Sequence, residues 1–408
     1  MKLSTYCYLY SNRDKYYLYS GISNAFANIS YDLYQLLKKI KKSPFYISEL
    51  ETEIKKSLIE AKVLVTSEEE EYYVQQKKLL RNVQNYQNSA LHLTIAPTSN
   101  CNFRCPYCFE AGIQPKTMTD EMVDNVLQFI KMRSRITQNN ISITWYGGEP
   151  LLAKKQINNI LDFIEREKIT IVDHSIITNG YLLSEVNIDW LIKRKINFIQ
   201  ITLDGSNPEL HNRKRFLKNG KGTWDKILNN IDMLLNKTNG INISLRCNID
   251  KSNKDDYLKL KEQLAIRWKD KNITIYPAIL RQHFKQESLN CVYLTNKEAV
   301  DFLLETGLKE KNIKYFEFEL GGCTATQLNA YLIGPEGELY KCWNDLGRKE
   351  KIIGYVYNNK IPNENVVIEY MTAYDSIEDK KCLKCPLFFV CDGGCQWMRI
   401  EYFKNNNK

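Results

Sequence analysis

Between residues 91 and 280 the chain repeats one alternation. Short apolar and β-branched runs, LHLTIA (91–96), ISITWY (141–146), IVDHSIIT (171–178), NFIQITL (197–203), ISLRCNI (243–249) and ITIYPAIL (273–280), are separated by longer stretches with apolar residues at helical spacing. MVDNVLQFIKMR, QINNILDFIERE and VNIDWLIKRK are examples of the latter. Six strand-then-helix units predict a parallel βα array.

The pattern differs before this array. STYCYLY and KYYLYSG, separated by the turn-like SNRDK and followed by AFANIS, predict two or three short strands within residues 3–31. Helical spacing then takes over from Tyr31 to Ile40 and again over residues 47–64, where Leu50, Ile54, Leu58, Ile59 and Val63 share a face. Ser48 followed by Glu51 predicts a capping box there. Residues 67–88, beginning SEEEEYY, read as a charged connector with a helical second half. Beyond about residue 281 the βα pattern fades into a linker with one helix, NKEAVDFLLETGLK.

Composition narrows the class. With 43% hydrophobic and 26% charged residues in 408, the chain reads as soluble, globular and divided into two or three domains. It has no apolar run of the roughly 20 residues that span a bilayer, and its start has no apolar segment before a small-residue cleavage site. A cytoplasmic protein without a membrane partner is expected. Twelve cysteines then point to metal rather than disulfides. The net charge of +9 is dispersed along the chain, as in Lys38-Lys39 and Lys380-Lys381, and no basic stretch interleaved with aromatics predicts a nucleic-acid surface.

The cysteines supply the chemistry. Cys101, Cys105 and Cys108 stand within eight residues, CNFRCPYC, after the first strand of the array. A cubane cluster normally takes four thiolates, so three clustered ones leave one iron with an open position. A zinc site would want a nearby fourth Cys or His, and the next cysteine is Cys247.

This spacing, with Tyr107 before the last cysteine, resembles the signature of the radical S-adenosylmethionine (SAM) superfamily. The resemblance implies a partial (β/α)6 barrel, TIM-like in plan, with its site at the strand carboxyl ends, where open α/β folds bind ligands. It also implies a [4Fe-4S] cluster on the three cysteines, whose open iron binds SAM, and reductive cleavage of SAM to a 5′-deoxyadenosyl radical. Gly147-Gly148-Glu149-Pro150 after the second strand matches the family's segment for the SAM amino group. Thr178-Asn179 ends the third strand. Thr202-Leu203-Asp204-Gly205, followed by His211-Asn212-Arg213-Lys214-Arg215, resembles a further family segment, with Thr202 for Ser and Asn212 for Asp. By that match Arg215 pairs with the SAM carboxylate, Arg213 being the near alternative, and Thr202 and Asp204 face the ribose or carboxylate.

Six cysteines close the sequence: Cys323 after Gly321-Gly322, Cys342 five residues after Gly337, then Cys382, Cys385, Cys391 and Cys395. This resembles the SPASM extension of radical SAM peptide-modifying enzymes and matches six of its seven cysteines. The resemblance implies two auxiliary [4Fe-4S] clusters, one on Cys323, Cys342 and Cys395, the other on Cys382, Cys385 and Cys391. Their fourth ligands stay open among Cys247, Cys291, Cys7, a carboxylate oxygen and a substrate thiolate. A zinc ribbon is the competing reading.

The amino-terminal strands and helices resemble the recognition element fused to many maturases of ribosomally made peptides, where the precursor's leader adds a strand to a sheet edge. The expected organisation is therefore a winged-helix-like α+β domain over 1–66, a connector over 67–90, the barrel over 91–280, a bridging segment over 281–320 and the SPASM part over 321–408. The expected function is that of a radical SAM peptide maturase that forms a thioether or carbon–carbon cross-link, supplied by an external electron donor such as flavodoxin or ferredoxin. An anaerobic sulfatase maturase is the enzymatic alternative. In that family an Asp directly follows the G-x4-C cysteine, whereas here Trp343 follows Cys342 and Asp345 comes later. An iron–sulfur electron-transfer or binding protein is the alternative of another class. Asp345, Tyr340 and Glu110 neighbour the motifs, but no substrate-side acid or base is assigned.

Overall fold

The computed structural model describes residues 1–281, 292–309, 323–358, 362–391 and 393–406. Their contacts form two compact units: residues 1–87 with the described parts of 314–328 and 367–408, and the described parts of 88–313 and 329–366.

In the first unit, β2 (Cys7–Asn12), β3 (Lys15–Ser20) and β4 (Ala25–Ile29) form an antiparallel meander, and β1 (Lys2–Leu3) pairs with β5 (Leu64–Val65). The helix expected from Tyr31 runs Tyr31–Lys42, with the Ser30 hydroxyl accepting from Leu33 N at 3.2 Å. The single helix expected over 47–64 is instead divided. Pro44–Glu49 is a 3-10 turn, the helix proper is Thr52–Glu60, and Lys62 at φ +55° turns the chain into β5. Pro44 starts the tighter turn, and Ser48 donates to Phe45 O at 3.0 Å, so the expected Ser48–Glu51 capping box does not form. The box lies at Thr66 and Glu69, where the supposed connector is one continuous helix, Ser67–Tyr86. Glu70 on this helix accepts from Lys2 Nζ, Ser4 Oγ and Thr5 N, tying the helix to β1.

The amino-terminal strands share a core with the carboxyl-terminal segment. Tyr6 meets Phe389 edge-on at 4.8 Å and donates to Leu383 O at 2.7 Å, while Ile22, Val65 and Val74 pack with Ile377 and Phe388. Cys7 is buried among Leu18, Leu37 and Leu58.

The second unit holds the array. β6 (Leu91–Ile95), β7 (Asn140–Trp145), β8 (Thr170–Thr178), β9 (Phe198–Thr202), β10 (Asn242–Ile249) and β11 (Ile273–Ile279) lie side by side in chain order, all parallel. This is the parallel array the alternation predicted, in the partial TIM-like barrel plan that the resemblance implied. β12 (Ala330–Ile333) extends it parallel to β6, followed by antiparallel β13 (Glu338–Tyr340) and β14 (Gly354–Tyr355).

Both faces of a parallel sheet are usually apolar. Here alternate positions on one face are polar: Ser142 and Thr144 on β7, Gln200 and Thr202 on β9, and Ser244, Arg246 and Asn248 on β10. Their neighbours Ile141, Ile143, Ile199, Ile201, Ile243 and Leu245 are buried on the helix-covered side. Cys247 also sits on that apolar side, 1% exposed, which makes it a core residue. Cys291 lies outside the described residues. Among the described residues no helix is long and apolar enough to cross a membrane.

Candidate active site at the strand carboxyl ends

After β6 the chain enters a loop closed at its base by Met118 N to Pro97 O (2.9 Å) and Ser99 N to Lys116 O (2.8 Å). Cys101, Cys105 and Cys108 lie within it. One side is fastened to the segment after Arg215, with Arg104 N donating to Phe216 O at 2.9 Å and Lys218 N to Asn102 O at 3.0 Å. The other side is fastened to the turn after β7 by Gly148 N to Thr98 O (3.1 Å) and Glu149 N to Asn100 O (3.0 Å). The approach is so close that a Cβ on Gly147 would strike Thr98 O and one on Gly148 would strike Asn100 O; Gly147 also adopts φ +104°.

The three thiols are half-buried and close enough to act on one another electrostatically. Burial pushes Cys101 up to about 11 and Cys108 up to about 12, with nearby Cys105 adding to both. Burial also raises Cys105, against the opposing charge of Arg215. Such thiols deprotonate when a metal takes the proton's place. Among the described residues no three His, Cys, Asp or Glu side chains converge as a single metal ion requires. A cubane is wider than one ion, and three thiols on one short loop are the donor set it takes.

Beside the thiols stands a polar network. The Tyr107 hydroxyl donates to Asp204 Oδ2 and accepts from Arg215 Nη1 at 2.8 Å and Asn248 Nδ2 at 3.2 Å. Asn248 N donates to Asp204 Oδ1 at 2.8 Å. Burial works to lower the Arg215 pKa, yet Tyr107, Cys105 and Asp204 hold it above its ordinary value, so the guanidinium is a permanent cation. Its Nε is buried without a partner among the described residues, an unspent donor. Arg213, the near alternative, is exposed and pairs with Glu209 on its own helix. His211 braces the turn: Nδ1 accepts from Asp204 N at 3.2 Å, and Thr223 Oγ1 donates to Arg215 O at 2.8 Å. The proton therefore sits on Nε2, which faces Thr223 Oγ1 at 3.1 Å.

The expected contacts on the third strand are also assembled here. Glu149, fully buried, accepts from Thr178 Oγ1 at 2.8 Å, Asn179 N at 2.8 Å and Leu151 N at 3.1 Å, which clamps the turn after β7 to the end of β8. Burial raises its pKa against those donors. Asn179 Nδ2 reaches Asn102 Oδ1 at 2.7 Å and Cys101 Sγ at 3.8 Å. Thr202 is buried and stands in register with Arg246 of β10.

Three rings line the adjoining wall. Phe109, next to Cys108, stacks on Tyr146 at 6.4 Å, and Tyr146 meets Trp343, next to Cys342, at 5.0 Å. Among the described residues Glu110 Oε2 is buried there without a partner, and burial pushes Glu110 up to about 8. Asp345 is buried and paired with Arg348 Nη1 at 3.3 Å. Asn253 Nδ2 donates to Asp204 O and Asn248 O, both at 2.9 Å, tying the ends of β9 and β10 together. Sequence reasoning gave Asn248, Asn253, Tyr146 and Arg246 no role. For Arg246 and Asn248 the available signal was polarity at alternate positions of an otherwise apolar strand, ISLRCNI.

Of the later cysteines, Cys342 belongs to the barrel unit, whereas Cys323, Cys382, Cys385, Cys391 and Cys395 belong to the other. Cys382 accepts from Arg399 Nη1 at 3.4 Å, and Cys385 N returns to Cys382 O at 2.9 Å.

Residues 95–264 match the family model described as the Radical SAM superfamily. A cysteine-type anaerobic sulfatase-maturating enzyme of Clostridium novyi is 25% identical over 354 residues, covering 78% of this chain and 90% of its own. The radical SAM cyclopropyl synthase TigE of Paramaledivibacter caminithermalis is 24% identical over 352 residues, covering 79% and 70%. Among solved structures, Streptococcus suis SuiB bound to S-adenosylmethionine aligns with TM-score 0.54 and 16% identity over 99% of this chain and 97% of its own. Native anSMEcpe with bound AdoMet aligns with TM-score 0.59 and 18% identity over 78% and 100%. At these identities the solved structures establish a shared fold.

Proposed function

The chain carries a radical SAM domain and is a radical SAM enzyme, and on that premise we propose that it modifies a ribosomally made precursor peptide by forming a thioether or carbon–carbon cross-link. The observation that carries the peptide part is the reach of one likeness. SuiB, whose structure was also solved bound to the precursor peptide SuiA, shares its fold with 99% of this chain, including the amino-terminal strands.

Cys101, Cys105 and Cys108 would hold the [4Fe-4S] cluster, and the Gly147-Gly148 turn, Thr178, Asn179, Thr202, Asp204 and Arg215 would surround SAM. When bound, the pair supplies a deoxyadenosyl radical that takes a hydrogen atom from the substrate. The chain's own residues do the positioning. Arg215, held cationic by its neighbours, offers an unspent donor for a carboxylate, a charge-assisted contact. Tyr107 fixes Arg215 against Asp204. Side-chain-free Gly147 and Gly148 let the backbone come close, and half-buried Phe109, Tyr146 and Trp343 form an aromatic wall beside the thiols.

The leader would add a strand at an edge of the β2–β3–β4 sheet, where Tyr8, Tyr10 and Phe26 are exposed. Cys323, Cys342, Cys382, Cys385, Cys391 and Cys395 would serve auxiliary clusters, and a flavodoxin or ferredoxin would deliver electrons. Against sulfatase maturation, Trp343 holds the position of that family's Asp, and Asp345 is neutralised by Arg348.

The test is anaerobic reconstitution with SAM, a reductant and the short peptide encoded beside the gene. The expected result is 5′-deoxyadenosine together with a peptide lighter by two hydrogens. Free release of 5′-deoxyadenosine with an unchanged peptide would sink the reading. Cys105→Ala should abolish the release.

A further inference from the structure

Asn248 points toward the site, since its side chain donates to the Tyr107 hydroxyl. Arg246, two residues earlier on β10, shares that face and lies deeper in the barrel by about 6.6 Å of strand rise. Its Nε donates to Asn248 Oδ1 at 2.8 Å. Its terminal nitrogens make no hydrogen bond or ion pair among the described residues, although the residue is half-buried. The neighbouring strands offer no counter-charge: in register stand Thr202 on β9 and Tyr276 on β11, and Tyr276 is already bonded to Gln200 at 2.7 Å. Across the lumen, the Tyr146 hydroxyl feels the Arg246 charge and has no hydrogen-bond partner among the described residues.

A half-buried cation with an open, planar pair of donors is costly unless an anion completes it, and a carboxylate fits that fork bidentately. The mouth of the barrel already has its own cation in Arg215. We propose that Arg246 is a specificity-determining residue that receives an Asp or Glu side chain of the peptide segment being modified. The proposal rests on the peptide-modifying reading above. It adds which side chain the substrate must carry near its reacting carbon.

The test uses the full-length reconstituted enzyme and the peptide encoded beside the gene. Arg246→Gln should raise the peptide KM about tenfold or more, the loss expected for a charged hydrogen bond. Arg246→Lys should recover part of it. With wild-type enzyme, one Asp→Asn or Glu→Gln change in the peptide should reproduce the loss and add nothing further in Arg246→Gln. The proposal is overturned if every acidic position of the peptide tolerates its amide, or if Arg246→Gln weakens SAM retention in equilibrium dialysis rather than peptide use. If wild-type enzyme leaves the peptide unmodified, the functional reading itself has failed. Anisotropy of the labelled core segment on unreduced protein then decides this inference, and equal affinity for wild type and Arg246→Gln overturns it.

Discussion

Arg215 Nη1 donates to the Tyr107 hydroxyl at 2.8 Å, and that hydroxyl in turn donates a hydrogen bond to Asp204 Oδ2. The cysteine loop and the end of β9 are thereby locked through one oxygen. Tyr107→Phe leaves Arg215 and Asp204 without this partner but keeps the ring and all three cysteines. SAM affinity should fall about tenfold, the cost of one charge-assisted bond, while iron and sulfide content stay at the wild-type level. Equilibrium dialysis and an iron assay on the same preparation check both halves.

The two neighbouring arginines should separate cleanly. Arg215 is buried and faces the thiols, whereas Arg213 is exposed and paired with Glu209. Arg215→Gln should cost at least tenfold in SAM affinity. Arg213→Gln removes only a surface pair, worth about 0.5 kcal/mol, and should bind SAM like wild type. Equal losses in the two variants would refute the assignment.

Gly148→Ala tests whether the turn after β7 shapes the cysteine loop. The added Cβ would strike the Asn100 carbonyl, one residue before Cys101. Backbone must shift, at a cost of about 1–3 kcal/mol, and it shifts the first cysteine. The expected outcome is a folded protein with less bound iron, seen as lowered visible absorbance per chain. Full iron loading would show that the loop tolerates the displacement.

Two buried histidines set a pH dependence for stability. His174 accepts from Trp145 Nε1 at 2.8 Å, and burial lowers it to about 4; burial and then Arg215 hold His211 well below its ordinary value. Both are bases weakened by folding, so the unfolded chain takes up protons first on acidification. Their contribution is complete above about pH 6.5 and is lost as pH falls, for His174 down to about 4. The His174 share is on the order of 3 kcal/mol. Denaturant midpoints should drop between pH 7 and 4.5, and His174→Asn should flatten the slope. A midpoint unchanged over that range excludes the buried neutral state.

The array was legible because its signals are local. Each strand of β6–β11 carries its own β-branched run, and each connecting helix its own apolar stripe, so observed limits fall within a residue or two of the expected ones. Misreadings came where a local signal had a rival. Ser48 and Glu51 have capping-box spacing, but Pro44 starts a 3-10 turn that uses Ser48 first; Thr66 and Glu69 satisfy the same rule without competition.

The sequence by itself determined the spacing of Cys101, Cys105 and Cys108, the Gly-Gly turn and the order of strands and helices, because each depends on residues close along the chain. Only the tertiary structure decided that Arg215 rather than Arg213 turns inward, that Asn248 completes the Tyr107–Asp204 pair, and that Arg246 is left with an open guanidinium. These depend on which residues of separate strands come into register, and that register is set by packing the whole sheet rather than by any one segment.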